Sequence, residues 1–244
     1  LRGVDYGESD RVVTLLTSGF GKVSFIARGA RRSKKRFAGA LEPLQLLRVE
    51  LQRGGGRLGS LARADIARSY PRVLADLSRM AAAFAALELL RELVPEGEDD
   101  ALVFATALEM LEALDAAEVA PERLALCFQA RLLSVLGFTP RLDQCGLCGK
   151  QPAPRQAAEF DPQLGHLTCQ RCGGASERLD AAVRVALMRA CGGGWVGAAA
   201  AAWPEAEGHA ARAALRAFIE HRIGRVLRAT SLAAVVVTDQ ETES

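Results

Sequence analysis

Apolar residues recur at two spacings along this chain, and the change falls near Tyr70. Before it the pattern is short and β-like. Arg11-Val-Val-Thr-Leu-Leu-Thr17 is rich in β-branched residues, and Ser18-Gly-Phe-Gly21 reads as a turn. From Lys22 to Arg28, Val23, Phe25 and Ala27 alternate with Lys22, Ser24 and Arg28, the period of a half-buried strand. Ile26 interrupts the polar side, so both faces are expected to be partly covered. Further strands are predicted from Leu44 to Leu51 and from Leu58 onward, the latter continuing over Ser60 to Ala67. Arg53-Gly-Gly-Gly-Arg57 between them reads as a hairpin tip. Several short strands without a helical stretch predict a small closed barrel. A β-sandwich half or an SH3-like barrel shares the pattern.

After Tyr70 the period becomes helical. Leu77, Met80, Phe84, Leu87, Leu90 and Val94 recur at three and four and predict one apolar face. Pro95-Glu-Gly-Glu-Asp-Asp100 ends that helix. Leu102, Leu108, Leu111 and Leu114 mark a second. A third is predicted from Pro121, carrying Leu124, Phe128, Leu132 and Val135 and stopping near Gly137 and Pro140. A fourth is expected from Leu179 to Ala190, before Gly192-Gly-Gly194. A fifth runs from Glu205 to Arg228, with Leu215, Phe218, Ile219, Ile223 and Val226 facing inward. The tail beyond Val237 is acidic and is expected to fray.

Length and composition narrow the class. At 244 residues, half of them apolar and a quarter charged, the chain can bury a core without disulfides and is not wholly disordered. Its strongly apolar stretch near the end, Trp195 to Trp203, is far shorter than the ~20 residues that span a bilayer. No secretory signal is visible, so a cytoplasmic location is expected. The opening Leu-Arg-Gly lacks a Met, which sets the expectation that the numbering begins inside a longer product with part of a first strand missing. The net charge of +2 conceals a gradient. Residues 1–79 hold 16 Lys/Arg against 7 Asp/Glu, and the remainder is net acidic. Such asymmetry fits one module that meets a polyanion, or simply a solvated Arg-rich surface.

Two motifs carry chemistry. Cys145-Gly-Leu-Cys148 and Cys169-Gln-Arg-Cys172 are two short-spaced pairs separated by twenty residues. Each pair can offer two thiolates to one tetrahedral ion, as in a zinc ribbon, with Gly146, Gly149 and Gly173 relieving the knuckle turns. Four thiolates leave no open position, so one structural Zn(2+) is expected, not a catalytic one. Redox pairs, iron–sulfur ligation and unliganded thiols are the alternatives. The segment between the pairs has few apolar groups, so metal binding is expected to supply its folding free energy. His166 reads as a hairpin surface residue, and Cys127 and Cys191 as small buried hydrophobes.

The second motif is Arg28-Gly-Ala-Arg-Arg-Ser-Lys-Lys-Arg36, in which five of residues 31–36 are basic. A basic loop beside a sheet can hold phosphates without reading bases. Arg28, Arg31, Arg32, Lys34, Lys35 and Arg36 are therefore candidate DNA contacts. Phe37 either stacks on a base or packs in the core, while Tyr6 and Phe20 are undecided. Arg53 and Arg57 extend the path. Arg212, Arg216, Arg225 and Arg228 form a weaker second basic surface, unless that helix merely faces solvent. No phosphate-binding Gly-rich loop, zinc-protease motif or nucleophile elbow is present, so an enzyme is not expected. A protein-interaction adaptor with incidental DNA contact, or less readily a metal-dependent nuclease, remains as an alternative.

Three stretches taken in order resemble one family. They are Tyr6-Gly-Glu-Ser-Asp-Arg-Val-Val-Thr-Leu-Leu-Thr17, Lys22-Val-Ser-Phe-Ile-Ala-Arg-Gly-Ala-Arg-Arg32, and Leu136-Gly-Phe-Thr-Pro-Arg-Leu142 ahead of the first cysteine pair. The chain resembles the RecO family of bacterial recombination mediators over nearly its whole length. That resemblance implies an α+β architecture. A five-stranded OB-like β-barrel would occupy residues 1–72 and a helical domain 73–140 and 179–232. A four-cysteine zinc ribbon would be inserted at 141–178, and a tail would cover 233–244. It also implies single- and double-stranded DNA as ligands, strand annealing, and cooperation with RecR and SSB to load RecA. A nucleoid-associated location follows from the same resemblance.

Overall fold

The computed structural model describes residues 1–33, 35–37, 39–52, 59–98, 100–116, 118–153 and 155–227. The predicted glycine tip with Arg53 and Arg57, together with Lys34, Arg228 and the tail, lies outside the described residues.

Five strands open the chain: β1 (Arg2–Tyr6), β2 (Asp10–Thr17), β3 (Gly21–Ala27), β4 (Gln45–Gln52) and β5 (Gly59–Ser69). They form one sheet in the order β1-β2-β3-β5-β4. The first three make an antiparallel meander. β3 meets β5 in parallel through only two residue pairs, Phe25 with Gly59 and Ile26 with Ser60. The expected OB-like closed barrel is therefore corrected. β1 and β4 are the edges of an open sheet, with no ladder between them among the described residues. The inner face is sealed by side chains instead. The connection from β3 to β4 lays Phe37, Ala40 and Leu41 over Val13, Phe25, Ala27, Leu61 and Ala64 in a small core. Apolar surface is thus removed from water without a closing set of strand hydrogen bonds.

Among the described residues seven helices follow: α1 (Pro71–Ala75), α2 (Leu77–Leu93), α3 (Ala101–Ala116), α4 (Pro121–Val135), α5 (Ala181–Cys191), α6 (Trp195–Ala199) and α7 (Glu205–Ile223). Local chemistry sets several starts. The Asp76 side chain accepts from Arg79 N at 2.9 Å and caps α2, Asp180 accepts from Ala182 N at 2.7 Å and caps α5, and Pro121 begins α4. α4 is the axis of the bundle. Its Leu124, Leu126, Cys127, Phe128, Ala130, Leu132 and Leu133 are all buried, and α2, α3, α5, α6 and α7 pack around it. Trp195 sets its ring edge-on to Phe128, with centroids 5.9 Å apart, and donates from Nε1 to Glu109 at 2.8 Å.

Two predicted faces are corrected. Leu77 and Phe84 of α2 are exposed, because the helix seats Ala82, Ala83, Ala85 and Ala86 inward and small side chains permit close approach. α7 ends at Ile223, where Gly224 takes a left-handed φ of 67°, so Val226 stands 68% exposed instead of facing inward. The sheet is fastened to the bundle at one corner. Lys22, the second residue of β3, is buried; its Nζ donates to Arg91 O at 2.6 Å, and its own carbonyl accepts from Gly97 N at 2.9 Å.

Between α4 and α5 lie β6 (Arg141–Cys145), β7 (Ala158–Asp161), β8 (His166–Leu167) and β9 (Glu177–Leu179), in the order β6-β8-β7-β9. This small sheet is not a free appendage. Leu142, Phe160, Leu167 and Leu179 belong to the same buried cluster as the helices. Phe160 meets Phe218 of α7 edge-on at 6.1 Å, and a Cβ added at Gly165 would lie 2.5 Å from the Phe218 ring. Replacing Phe160 by Ala is expected to cost about 3–5 kcal/mol of stability, read from the shift of the denaturant midpoint. A loss below about 1 kcal/mol would show that this sheet does not draw its order from α7.

Candidate metal centre and basic surface

The two cysteine pairs come together at the outer end of the small sheet. Cys145 closes β6, with Cys148 in the knuckle behind it. Cys169 and Cys172 bracket a single 3-10 turn. Backbone hydrogen bonds hold each knuckle: Gly149 N to Cys145 O at 2.9 Å, Cys145 N to Lys150 O at 2.9 Å, Cys172 N to Cys169 O at 2.8 Å and Gly174 N to Cys169 O at 3.1 Å. Gly149 and Gly173 take φ of 71° and 107°, which a side chain would strain. Gly146 is needed for another reason, since its Cβ would meet the His166 ring at 2.3 Å. His166 is thus a spacer packed on the first knuckle, its Nδ1 3.0 Å from Leu167 O, and it stands outside the ligand cluster.

All four sulfurs lie within 4.8 Å of one another, with Cys148 and Cys169 Sγ 3.6 Å apart. A tetrahedral ion with metal–sulfur bonds of about 2.3 Å needs sulfur–sulfur edges of roughly 3.8 Å, so the donor set fits one ion. The thiols are tuned unequally. Backbone N–H groups of Cys169 and Cys148 aimed at Cys145 draw its thiol down to about 6. Cys172 is pushed up to about 12, because hydrogen bonds to Cys148 and Cys169 hold its proton in place. Four thiolates this close repel unless a cation sits among them. Cys127 and Cys191 are different: burial pushes them up to about 12 and about 11, which keeps them protonated and inert.

The basic loop leaves the far end of β3. Gly29 has φ 67°, Arg31 and Arg32 sit on a 3-10 turn, and Arg36 O accepts from Ala64 N at 3.0 Å, which ties the loop's end to β5. Arg28, Arg31, Arg32, Lys35 and Arg36 are all exposed. They are not equivalent. Arg31 pairs with Asp5 at 3.4 Å and reaches the carbonyls of Gly7 and Glu8. Arg36 donates to Arg28 O at 2.7 Å and lies 5.2 Å over the Phe37 ring. Among the described residues, Arg28, Arg32 and Lys35 form no ion pair. Phe37 is 2% exposed, so it packs in the sheet's core and is not a stacking surface.

On the proposed second basic surface the described guanidiniums have neighbours within the fold. Arg216 pairs with Glu220 at 2.8 Å, and Arg225 pairs with Glu92. Arg212 is drawn into the fold, where desolvation lowers its pKa, with Glu122 and Glu205 near it. Arg216 and Arg225 thus serve carboxylates, and Arg228 lies outside the described residues. The residue that pattern reading left open is Tyr6, which is exposed at the end of β1 directly before the turn that Arg31 wraps. The signal was present in Arg2, Val4 and Tyr6, which share one side of the strand with period two.

Comparison with known proteins covers both halves of the chain. A family model described as Recombination protein O N terminal matches residues 1–70, and one described as Recombination protein O C terminal matches residues 74–231. The chain is 44% identical over 234 residues to the DNA repair protein RecO of Anaeromyxobacter sp. strain Fw109-5, covering 94% of this chain and 91% of that one. It is 41% identical over 239 residues to the DNA repair protein RecO of Myxococcus xanthus, covering 98% and 96%. To that of Geobacter sulfurreducens it is 40% identical over 198 residues, covering 81% and 80%. Loading with Co(II) is expected to saturate at one equivalent per chain with thiolate-to-metal absorption, and Cys169→Ser to weaken that binding by at least about 100-fold. Undiminished binding by the Cys169→Ser protein would remove this residue from the donor set.

Proposed function

The chain belongs to the recombination protein O family, and from that premise we propose that it is a DNA-binding recombination mediator working through phosphate contacts. It holds single- and double-stranded DNA, anneals complementary strands, and helps load the RecA recombinase on SSB-coated single strands together with RecR. Its place is the cytoplasm, beside the nucleoid. None of the helices among the described residues is long and apolar enough to cross a membrane. The observation that carries the reading is the Arg28–Arg36 loop, whose Arg28, Arg32 and Lys35 face solvent and form no ion pair among the described residues. Lys34, Arg53 and Arg57 belong to the same proposed path by sequence.

The mechanism is electrostatic and breaks no covalent bond. Cations on a loop replace counterions along a sugar-phosphate chain, and the entropy of the released ions drives binding without regard to sequence. Two strands brought to the same cations repel each other less. Their base edges stay free because the contacts are to phosphates, so pairing proceeds on the protein surface.

The four cysteines hold a structural Zn(2+). The reading is supported by an all-thiolate donor set at tetrahedral spacing that offers no open coordination position. Cys145, Cys148, Cys169 and Cys172 bind the ion, which when bound neutralises their charge and pins the two knuckles together. The inner side of the ribbon is already packed on α7, so the ion's work is confined to the outer end.

Joint replacement of Arg28, Arg32 and Lys35 by Gln is expected to weaken single-strand binding at every sequence. It should also flatten the slope of log affinity against log salt by about 2, at roughly 0.7 per phosphate contact. Arg31→Gln and Arg36→Gln should each have smaller effects, because their guanidiniums already serve Asp5 and the Arg28 carbonyl. Anisotropy titrations over a salt series read this directly. An unchanged slope in the triple variant would exclude the loop.

A further inference from the structure

Resting on the DNA-binding reading above, we propose that Tyr6 is the base-stacking residue of this surface and gives it a preference for unpaired strands. Tyr6 is the last residue of β1 and is 61% exposed. Its side chain makes no hydrogen bond, ion pair or ring contact with any described residue, so the fold itself has no use for the ring. Arg2 and Val4 lie on the same side of the strand and are exposed with it. In register, Tyr6 stands opposite Asp10, Val4 opposite Val12, and Val12 opposite Ile26. The other side of these strands buries Val13 and Phe25 in the core. The outward side is therefore a shallow row of aliphatic groups ending in one large ring.

Arg28 stands on the ring's side of the sheet, and Arg31 at the turn beyond it. Arg28 follows the last residue of β3 on the strand next to Asp10, and the Gly29 amide donates to Asp10 Oδ1 at 2.8 Å. Arg31 closes over the turn immediately after Tyr6, at 3.5 Å from Gly7 O and 3.4 Å from Glu8 O. The carboxylates of the neighbourhood are largely engaged. Asp5 sits between Arg11 and Arg31, Asp10 accepts from Gly29 and Ser9, and Glu8 faces solvent with no side-chain partner among the described residues. Phosphates held on the Arg28 side bring the attached bases over the ring.

The chemistry of the ligand follows. In a duplex both faces of each base are covered by neighbouring pairs, so a protruding phenol finds only phosphates and edges. An unpaired nucleotide offers a free face, and a base on an aromatic ring is stabilised whatever its identity. Tyr6 thus rewards single strands, while the loop cations attract both forms.

The test uses the full chain with oligo(dT) and a duplex of equal length. Tyr6→Ala is expected to lose about tenfold in single-strand affinity, with duplex affinity and the salt slope unchanged. Tyr6→Phe is expected to restore single-strand binding. Tyr6→Trp should show fluorescence quenching by oligo(dT), above the signal of the buried Trp195 and Trp203, and none with the duplex. Equal losses on both ligands, unchanged single-strand binding in Tyr6→Ala, or quenching by the duplex as well would each overturn the inference. The Arg28, Arg32 and Lys35 triple variant separates the two claims. If it loses binding while Tyr6→Ala does not, the stacking role alone fails. If it binds like the original protein, the loop reading beneath it fails.

Discussion

The structure depends on the burial of α4. Leu124, Phe128, Leu132 and Leu133 of this helix are removed from water, and none of its residues is exposed, so each neighbour is placed by what it must cover. α2 and α5 flank it, Trp195 closes over Phe128, and α7 lies across it and carries Phe218 outward to meet Phe160. A single apolar cluster therefore runs from the foot of the sheet, at Leu44 and Tyr70, to the small sheet that bears the cysteines. The four-cysteine cluster sits at one end of that apolar core.

Charge is placed by a different rule. The cluster needs no cations, and several of the bundle's are paired close to home, as Arg216 is by Glu220 and Arg225 by Glu92. The loop after β3 gathers Arg28, Arg32 and Lys35, which face solvent and form no ion pair among the described residues. It concentrates positive charge in one short stretch of a nearly neutral chain. Along α7 a helical register brings Glu220 back beside Arg216 one turn later, which a linear count of basic residues does not show.

Much of this was legible from spacing alone. The change of period at Tyr70, the start of α4 at Pro121 and the two cysteine pairs follow from local rules, since turns, caps and knuckles are made by neighbours in sequence. What escaped was non-local. Nothing in the alternation of β2 and β3 shows that β1 and β4 remain edges, because Phe37, Ala40 and Leu41 arrive from a stretch with no strand pattern. Phe37 stands beside the charges in sequence yet packs in the core, whereas the turn after Tyr6 meets Arg31 only through the fold. The exposure of Leu77 and Phe84 had the same origin, since large residues drew attention while alanines made the contact.

One short strand has two duties. β3 carries the clamped Lys22 near its start and launches the basic loop from its end, seven residues in all. An extended strand is the stiffest direction of a sheet. Tension applied at the loop is therefore delivered lengthwise to the end of α2, with little bending of the strands beside it. The helices are mechanically in series with the loop.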